Sequence, residues 1–439
     1  MPAVPVPAAV TDVIPRGGHD GAVRWVRRAR PVKPGGRHGT TDSAEVRMRR
    51  TPLEGHGPVR YGPGLPGDGL PVPPELSAVL AAAADRADED PVGGAPALLD
   101  AACGYWERRG LPTEPSRVAA APGTPPLLLA LTAALGGDVL VPRPCVAWWA
   151  PYARLLGRRV FHVPTPADCG GVPDPYALLE TVRRVRAEGG DPRLLVLSVA
   201  DDPTATVAPP ELLYETVEAA ARVGLHLVSD ETWRDTVHDP RESVLIGPAE
   251  MLPEHVSVVT DLAGAHLPAC WPAAVARFPA TAAADTLHAR VLDVLTALGA
   301  RVAAPVTAAA AYALTEPAPL LAHRAAVVRL HARVAAEVHA AVVGAGALAL
   351  PPRAGRHLYA DLGPLRDALA ARGVGDAQEL EEYLTARLGL PAPGGHRFGD
   401  DLAAPRVRLS TGSLLTAAAD ALQSVLDELR DAQRGESPR

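Results

Sequence analysis

The chain has 439 residues, 47% of them hydrophobic, and a formal net charge of −7. That length allows two or three domains around a large buried core, and the charge favours solubility without pointing to a partner. The longest apolar runs, such as Leu127–Leu135, fall far short of a bilayer crossing, so no membrane partner is expected.

Cys103, Cys145, Cys169 and Cys270 show neither metal-ligand spacing nor a paired framework. They suit free thiols in a reducing compartment, and no signal peptide is read at the N-terminus, so a cytoplasmic protein is expected. Lys33 is the single lysine, leaving 43 − 1 = 42 arginines.

Residues 1–50 form a Pro/Gly/Arg-rich stretch with ten basic and four acidic residues, a local charge of +6, so the remainder carries −7 − 6 = −13. Composition predicts a disordered, solvated tail, and specific nucleic-acid binding is not expected. Residues 51–75 are punctuated by Pro and Gly. Helices are predicted over Pro74–Asp88, with proline in the first turn, and over Ala97–Arg109.

Strands and helices then alternate. Strands are predicted over Val118–Ala121, Asp138–Val141, Arg159–Val163, Leu194–Ser198, His226–Ser229 and Ser257–Thr260. Helices fall between them over Pro125–Leu135, Ala147–Leu156, Asp174–Glu188 and Pro209–Val223. This alternation predicts an α/β fold with a mostly parallel sheet sandwiched by helices. Helices follow over Thr281–Thr315 and Pro317–Gly344. The last third reads as a smaller α+β unit with strands at Arg356–Gly363 and Arg406–Leu409 and a closing helix at Leu414–Arg434.

One stretch decides the reading: Thr260-Asp261-Leu262-Ala263-Gly264-Ala265-His266, running on to Trp271-Pro272. With Ser229-Asp230-Glu231-Thr232-Trp233, Asp202-Pro203-Thr204-Ala205 and Val407-Arg408-Leu409, it resembles the class I/II aminotransferases of fold type I. The resemblance spans about residues 60–430. It implies an N-terminal arm over 51–75, a large domain over 76–315, and an interdomain helix with a small domain over 316–439. It also implies a homodimer.

In that family a lysine forms a Schiff base with pyridoxal phosphate, making the ring an electron sink. The resemblance places Gly264 at the lysine position and Pro272 at the position of an arginine that grips the phosphate. Asp261 stands where a serine binds that phosphate, and Pro125 opens the helix whose N–H groups would cradle it. Val146 replaces a ring-stacking aromatic, Asp202 an asparagine and Trp233 a tyrosine. Asp230 is the retained partner of the ring nitrogen, or else a strand-closing acceptor. Arg408 matches the arginine that holds a substrate carboxylate. Trp148 and Trp149 are candidate pocket-lining residues, and His266 is a candidate base two places beyond the missing lysine.

These departures lead to the expectation of no catalytic residue and no cofactor. The expected function is that of a pseudoenzyme binding a small carboxylate or amino-acid-like ligand, or a protein partner. A cofactor-independent enzyme reusing the cleft stays open, as does a working aminotransferase whose lysine lies elsewhere.

Overall fold

The computed structural model describes residues 70–414 and 419–434. The basic tail, Lys33 and most of the 51–75 arm lie outside them.

Seven strands build the main sheet: β1 (Val118–Ala121), β2 (Asp138–Arg143), β3 (Val160–Pro164), β4 (Pro192–Ser198), β5 (His226–Asp230), β6 (Val256–Asp261) and β7 (Ala274–Arg277). Their order is β1-β7-β6-β5-β4-β2-β3. Strand β7 runs antiparallel to β1 and β6, and the other pairings are parallel. Strand β4 is continuously apolar over residues 194–197 because helices cover both faces. Leu195 and Leu197 face one core with Trp106, Leu178 and Val217, while Leu194 and Val196 face the other with Leu127, Leu131 and Val291.

A second sheet, β8 (Leu348–Ala349), β9 (His357–Asp361) and β10 (Arg406–Ser410), is antiparallel in the order β10-β9-β8. The helices Ala377–Leu388 and Ala419–Gln433 pack on it around their own core, and the 27-residue helix Ala318–Gly344 leads into it. The α/β class and mostly parallel sheet expected from the sequence are therefore present, with a smaller C-terminal sheet.

Boundaries differ where local chemistry overrides the pattern. The first helix stops at Ala82 rather than Asp88, because Asp88-Glu89-Asp90 offers no apolar face to bury. The helix expected from Ala147 begins at Trp149, which leaves Trp148 at its N-terminal cap.

The fold gathers the site. Parallel strands deliver their C-terminal ends to one edge of the sheet, where open α/β folds bind ligands. Strands β4, β5 and β6 end there on Ser198, Asp230 and Asp261.

Candidate functional site

Asp261 closes β6 and is buried. Its Oδ2 accepts from Thr124 N at 2.9 Å, and its Oδ1 accepts from Ala263 N at 2.9 Å. Thr124 opens the helix Thr124–Leu135, and Pro125 and Pro126 carry no N–H. A helix N-terminus attracts anions through free N–H groups and the helix dipole. Here the chain's own carboxylate holds that place.

Asp230 closes β5, and its Oδ1 accepts both the backbone N–H (3.0 Å) and the hydroxyl of Thr232. Burial pushes its carboxyl up to about 7; the Thr232 hydrogen bonds oppose the rise, and Asp261 and Asp202 reinforce it. Both contacts turn this carboxylate oxygen onto the residue that follows β5 by two places.

Arg408 lies on β10, in the second sheet. Its Nη1 donates to both oxygens of Asp202, at 2.8 and 2.9 Å. Burial raises the Asp202 carboxyl, but Arg408 and then His357 outweigh it and hold the group below its usual range. His357 lies 3.6 Å from Asp202 and meets Trp233 edge-on, with ring centroids 5.7 Å apart. Asp202, Asp230, Asp261, Trp233, Val146 and Trp148 surround a cavity of only about 20 Å³, room for roughly one water. Trp149 is buried but does not line it.

Gly264 and His266 lie elsewhere. They line a separate cavity of about 500 Å³, which shares no residue with the first. Gly264 sits at φ +94°, a conformation that suits glycine and strains other residues. Its N–H donates to Leu267 O at 2.7 Å. Pro272 is exposed in the turn before β7.

His266 is enclosed by an ion network. Arg324 Nη1 reaches its Nδ1 at 2.9 Å, and Asp235 lies 3.2 Å from Nε2. Arginine can only donate, so Nδ1 accepts and Nε2 carries the proton toward Asp235. Both nitrogens are used, and neither is left to act as a base. Tyr105 and Arg109 also donate to Asp235, while Arg108, Arg109 and Arg324 converge on Glu316. Sequence reading missed this network and His357, because the partners are far apart in the chain and share no motif. The adjacent pair Arg108-Arg109 was the one local signal.

A family model, aminotransferase class I and II, matches residues 74–265. The chain has the fold of the class I and II aminotransferases. A probable aspartate/prephenate aminotransferase of Thermus aquaticus is 31% identical over 188 residues, 41% of this chain and 46% of that one. A 4-dedimethylamino-4-oxo-anhydrotetracycline transaminase of Streptomyces rimosus is 31% identical over 259 residues, 56% of this chain and 64% of the relative. The matches thus span less than two thirds of these curated relatives. Among solved structures, aspartate aminotransferase of Thermus thermophilus with maleate superposes with a TM-score of 0.69 at 21% identity, over 82% of this chain and 88% of the other. The aromatic aminotransferase of Pyrococcus horikoshii gives 0.70 at 17%, over 85% and 95%.

These relatives overturn the expectation of no cofactor: aminotransferases depend on pyridoxal phosphate, so the likeness to them points to that group. The described residues do not fit it in the family's manner. None is a lysine, Asp261 holds the helix N-terminus, and about 20 Å³ remains beside Asp230.

Two predictions follow from the buried carboxylates. Replacing Arg408 with Met strands a buried Asp202 charge and costs about 3–5 kcal/mol, whereas Arg408→Met with Asp202→Asn regains most of it, as a double-mutant cycle by urea denaturation would read. Asp230 has its native pKa raised from 3.8 to about 7. Between those values the native state binds more protons than the unfolded state, so this group's contribution to stability falls as pH rises. Asp230→Asn removes that slope, and its unfolding free energy by urea denaturation gains on wild type between pH 5 and pH 8 by an amount on the order of 2–4 kcal/mol.

Proposed function

We propose that this protein is an aminotransferase-fold pseudoenzyme that does not transaminate through a lysine-linked cofactor, and that it binds a small carboxylate-bearing ligand. One observation carries the reading. The donors that would turn toward a phosphate or a substrate carboxylate are engaged by the chain's own acids: Thr124 N by Asp261, and Arg408 by Asp202. The curated relatives are transaminases by name, and the retained fold supports descent from such an enzyme rather than its chemistry. The enclosure of His266 lends no support to a base at this loop. A homodimer is inferred from the fold family and is checked by light scattering.

The test is turnover. The full-length protein, incubated with pyridoxal phosphate and L-aspartate or L-phenylalanine, is expected to yield no oxo acid. Borohydride reduction and peptide mass spectrometry should place any pyridoxyl label at Lys33 or the chain's amino terminus alone. Oxo-acid formation above the cofactor-only control would overturn the reading. Gly264→Lys is expected to be inactive as well. Its left-handed backbone costs a side-chain-bearing residue roughly 1–2 kcal/mol, and the small cavity beside Asp230 stays filled.

A further inference from the structure

A third cavity lies between the loop that follows β3 and the second sheet. It measures about 710 Å³ and shares no residue with the two cavities described above. That volume is within the range of small-molecule sites. Pro166 and Ala167 form one aliphatic side, and Val343 and Leu348 form the other. Val343 and Leu348 are 46% and 61% exposed, so this wall is apolar surface that a hydrocarbon would remove from water.

The polar end is acidic. Arg406, on β10, donates from Nε to Asp361 Oδ2 and from Nη1 to Asp400 Oδ2, both at 3.0 Å, so one guanidinium serves two carboxylates. Arg143 is the other cation of the lining, and it stands 3.7 Å from Asp401, beyond hydrogen-bond length. Two guanidiniums thus face three carboxylates (Asp361, Asp400, Asp401), which leaves 2 − 3 = −1. Asp400 matters most, because its side chain is only 5% exposed. The Tyr359 hydroxyl, at 2.6 Å, and Arg406 both donate to its Oδ2. Among the described residues nothing donates to its Oδ1. A carboxylate oxygen so placed is costly until a donor reaches it. Tyr359 and Arg406 already hold the group in place, so a ligand would meet an ordered acceptor.

We infer that this cavity binds an amphipathic primary amine, with its ammonium donating to Asp400 Oδ1 and its hydrocarbon part along the wall of Val343 and Leu348. An alkylammonium carries three donors and no acceptor, and its hydrogen bond to a carboxylate is charge-assisted. A neutral alcohol would leave the negative charge uncompensated, and a short diamine would leave the apolar wall bare. The inference goes beyond the carboxylate-ligand reading and stands on different residues.

The experiment is calorimetric titration of the full-length protein with octylamine, octanol and diaminobutane, at neutral pH and moderate salt. Saturable octylamine binding is expected, with octanol and diaminobutane weaker by about tenfold or more. Octylamine is also expected to raise the melting temperature, since a ligand that binds only the native state stabilises it. Asp400→Asn can keep its oxygen toward Tyr359 and Arg406 while an NH₂ donor takes the place of Oδ1. It should weaken octylamine by about tenfold or more, with circular dichroism unchanged. Ala167 is exposed, and Ala167→Trp should weaken octylamine as well by filling the cavity. If Asp400→Asn fails to fold, Ala167→Trp decides alone. Octanol or diaminobutane binding as tightly as octylamine, octylamine binding undiminished in the folded deciding variant, or no saturable binding would each overturn the inference. The transamination test reads oxo acid rather than heat from an amine, so the two readings can fail separately.

Discussion

Buried carboxylates are the constraint on which this site depends. Strands β4, β5 and β6 carry acids to one edge of the sheet, and Asp201, Asp202, Asp230 and Asp261 are all buried there. An ionised carboxylate out of water is costly unless it is paired or hydrogen-bonded. Each acid meets that demand differently. Asp202 takes an arginine, Asp261 takes two backbone N–H groups, and Asp230 has, among the described residues, the donors of Thr232 alone, so burial shifts it toward the protonated form. Asp201 is likewise pushed up to about 6 by burial, against hydrogen bonds from Thr204 and Ser198. Burial favours the protonated form of Asp201, Asp230 and Asp261, and Asp202, Asp230 and Asp261 border a cavity of only about 20 Å³.

The same demand explains the second cluster. Asp235 and Glu316 are each enclosed by guanidiniums, and the network ties four segments distant in sequence: the helix Pro96–Glu107 with the arginines just beyond it, the Arg234–Thr236 turn, the 264–270 loop, and the start of helix Ala318–Gly344 with Glu316 just before it. Replacing such a network with apolar packing is often neutral for stability, but removing one member is not. Its structural consequence is positional. It fixes the loop that carries Gly264 and His266, and it orients Arg324 along the wall of the cavity they line.

Much of the fold was legible because periodicity reports burial. The apolar run of β4 and the helices that flank it appear in sequence as a period change, and proline marks the first turn of several helices. The substitutions at Gly264, Asp261 and Arg408 were equally visible as residue types. What they touch was not. That Asp261 reaches Thr124, 137 residues away, or that Arg408 reaches Asp202, 206 away, depends on tertiary approach that no local pattern encodes. The expectation of no cofactor failed for a related reason. It took the loss of contacts as decisive, whereas the likeness to aminotransferases extends across residues 74–265.

Those two approaches also say why single reversions are poor routes back to the family's chemistry. A lysine at 264 would begin from backbone at φ +94°, in a loop closed by Gly264 N on Leu267 O. A free helix N-terminus would need Asp261 removed, yet that carboxylate also receives Ala263 N and so shapes the loop in which Gly264 lies. Arg408 would need release from Asp202, which would then be buried without its arginine. Each feature is held by another, so the site resists change one residue at a time. The cavity beside Gly264 shares such an interlock at its polar end, where His266, Glu316 and Arg324 line it, whereas its aliphatic walls can vary without stranding a charge.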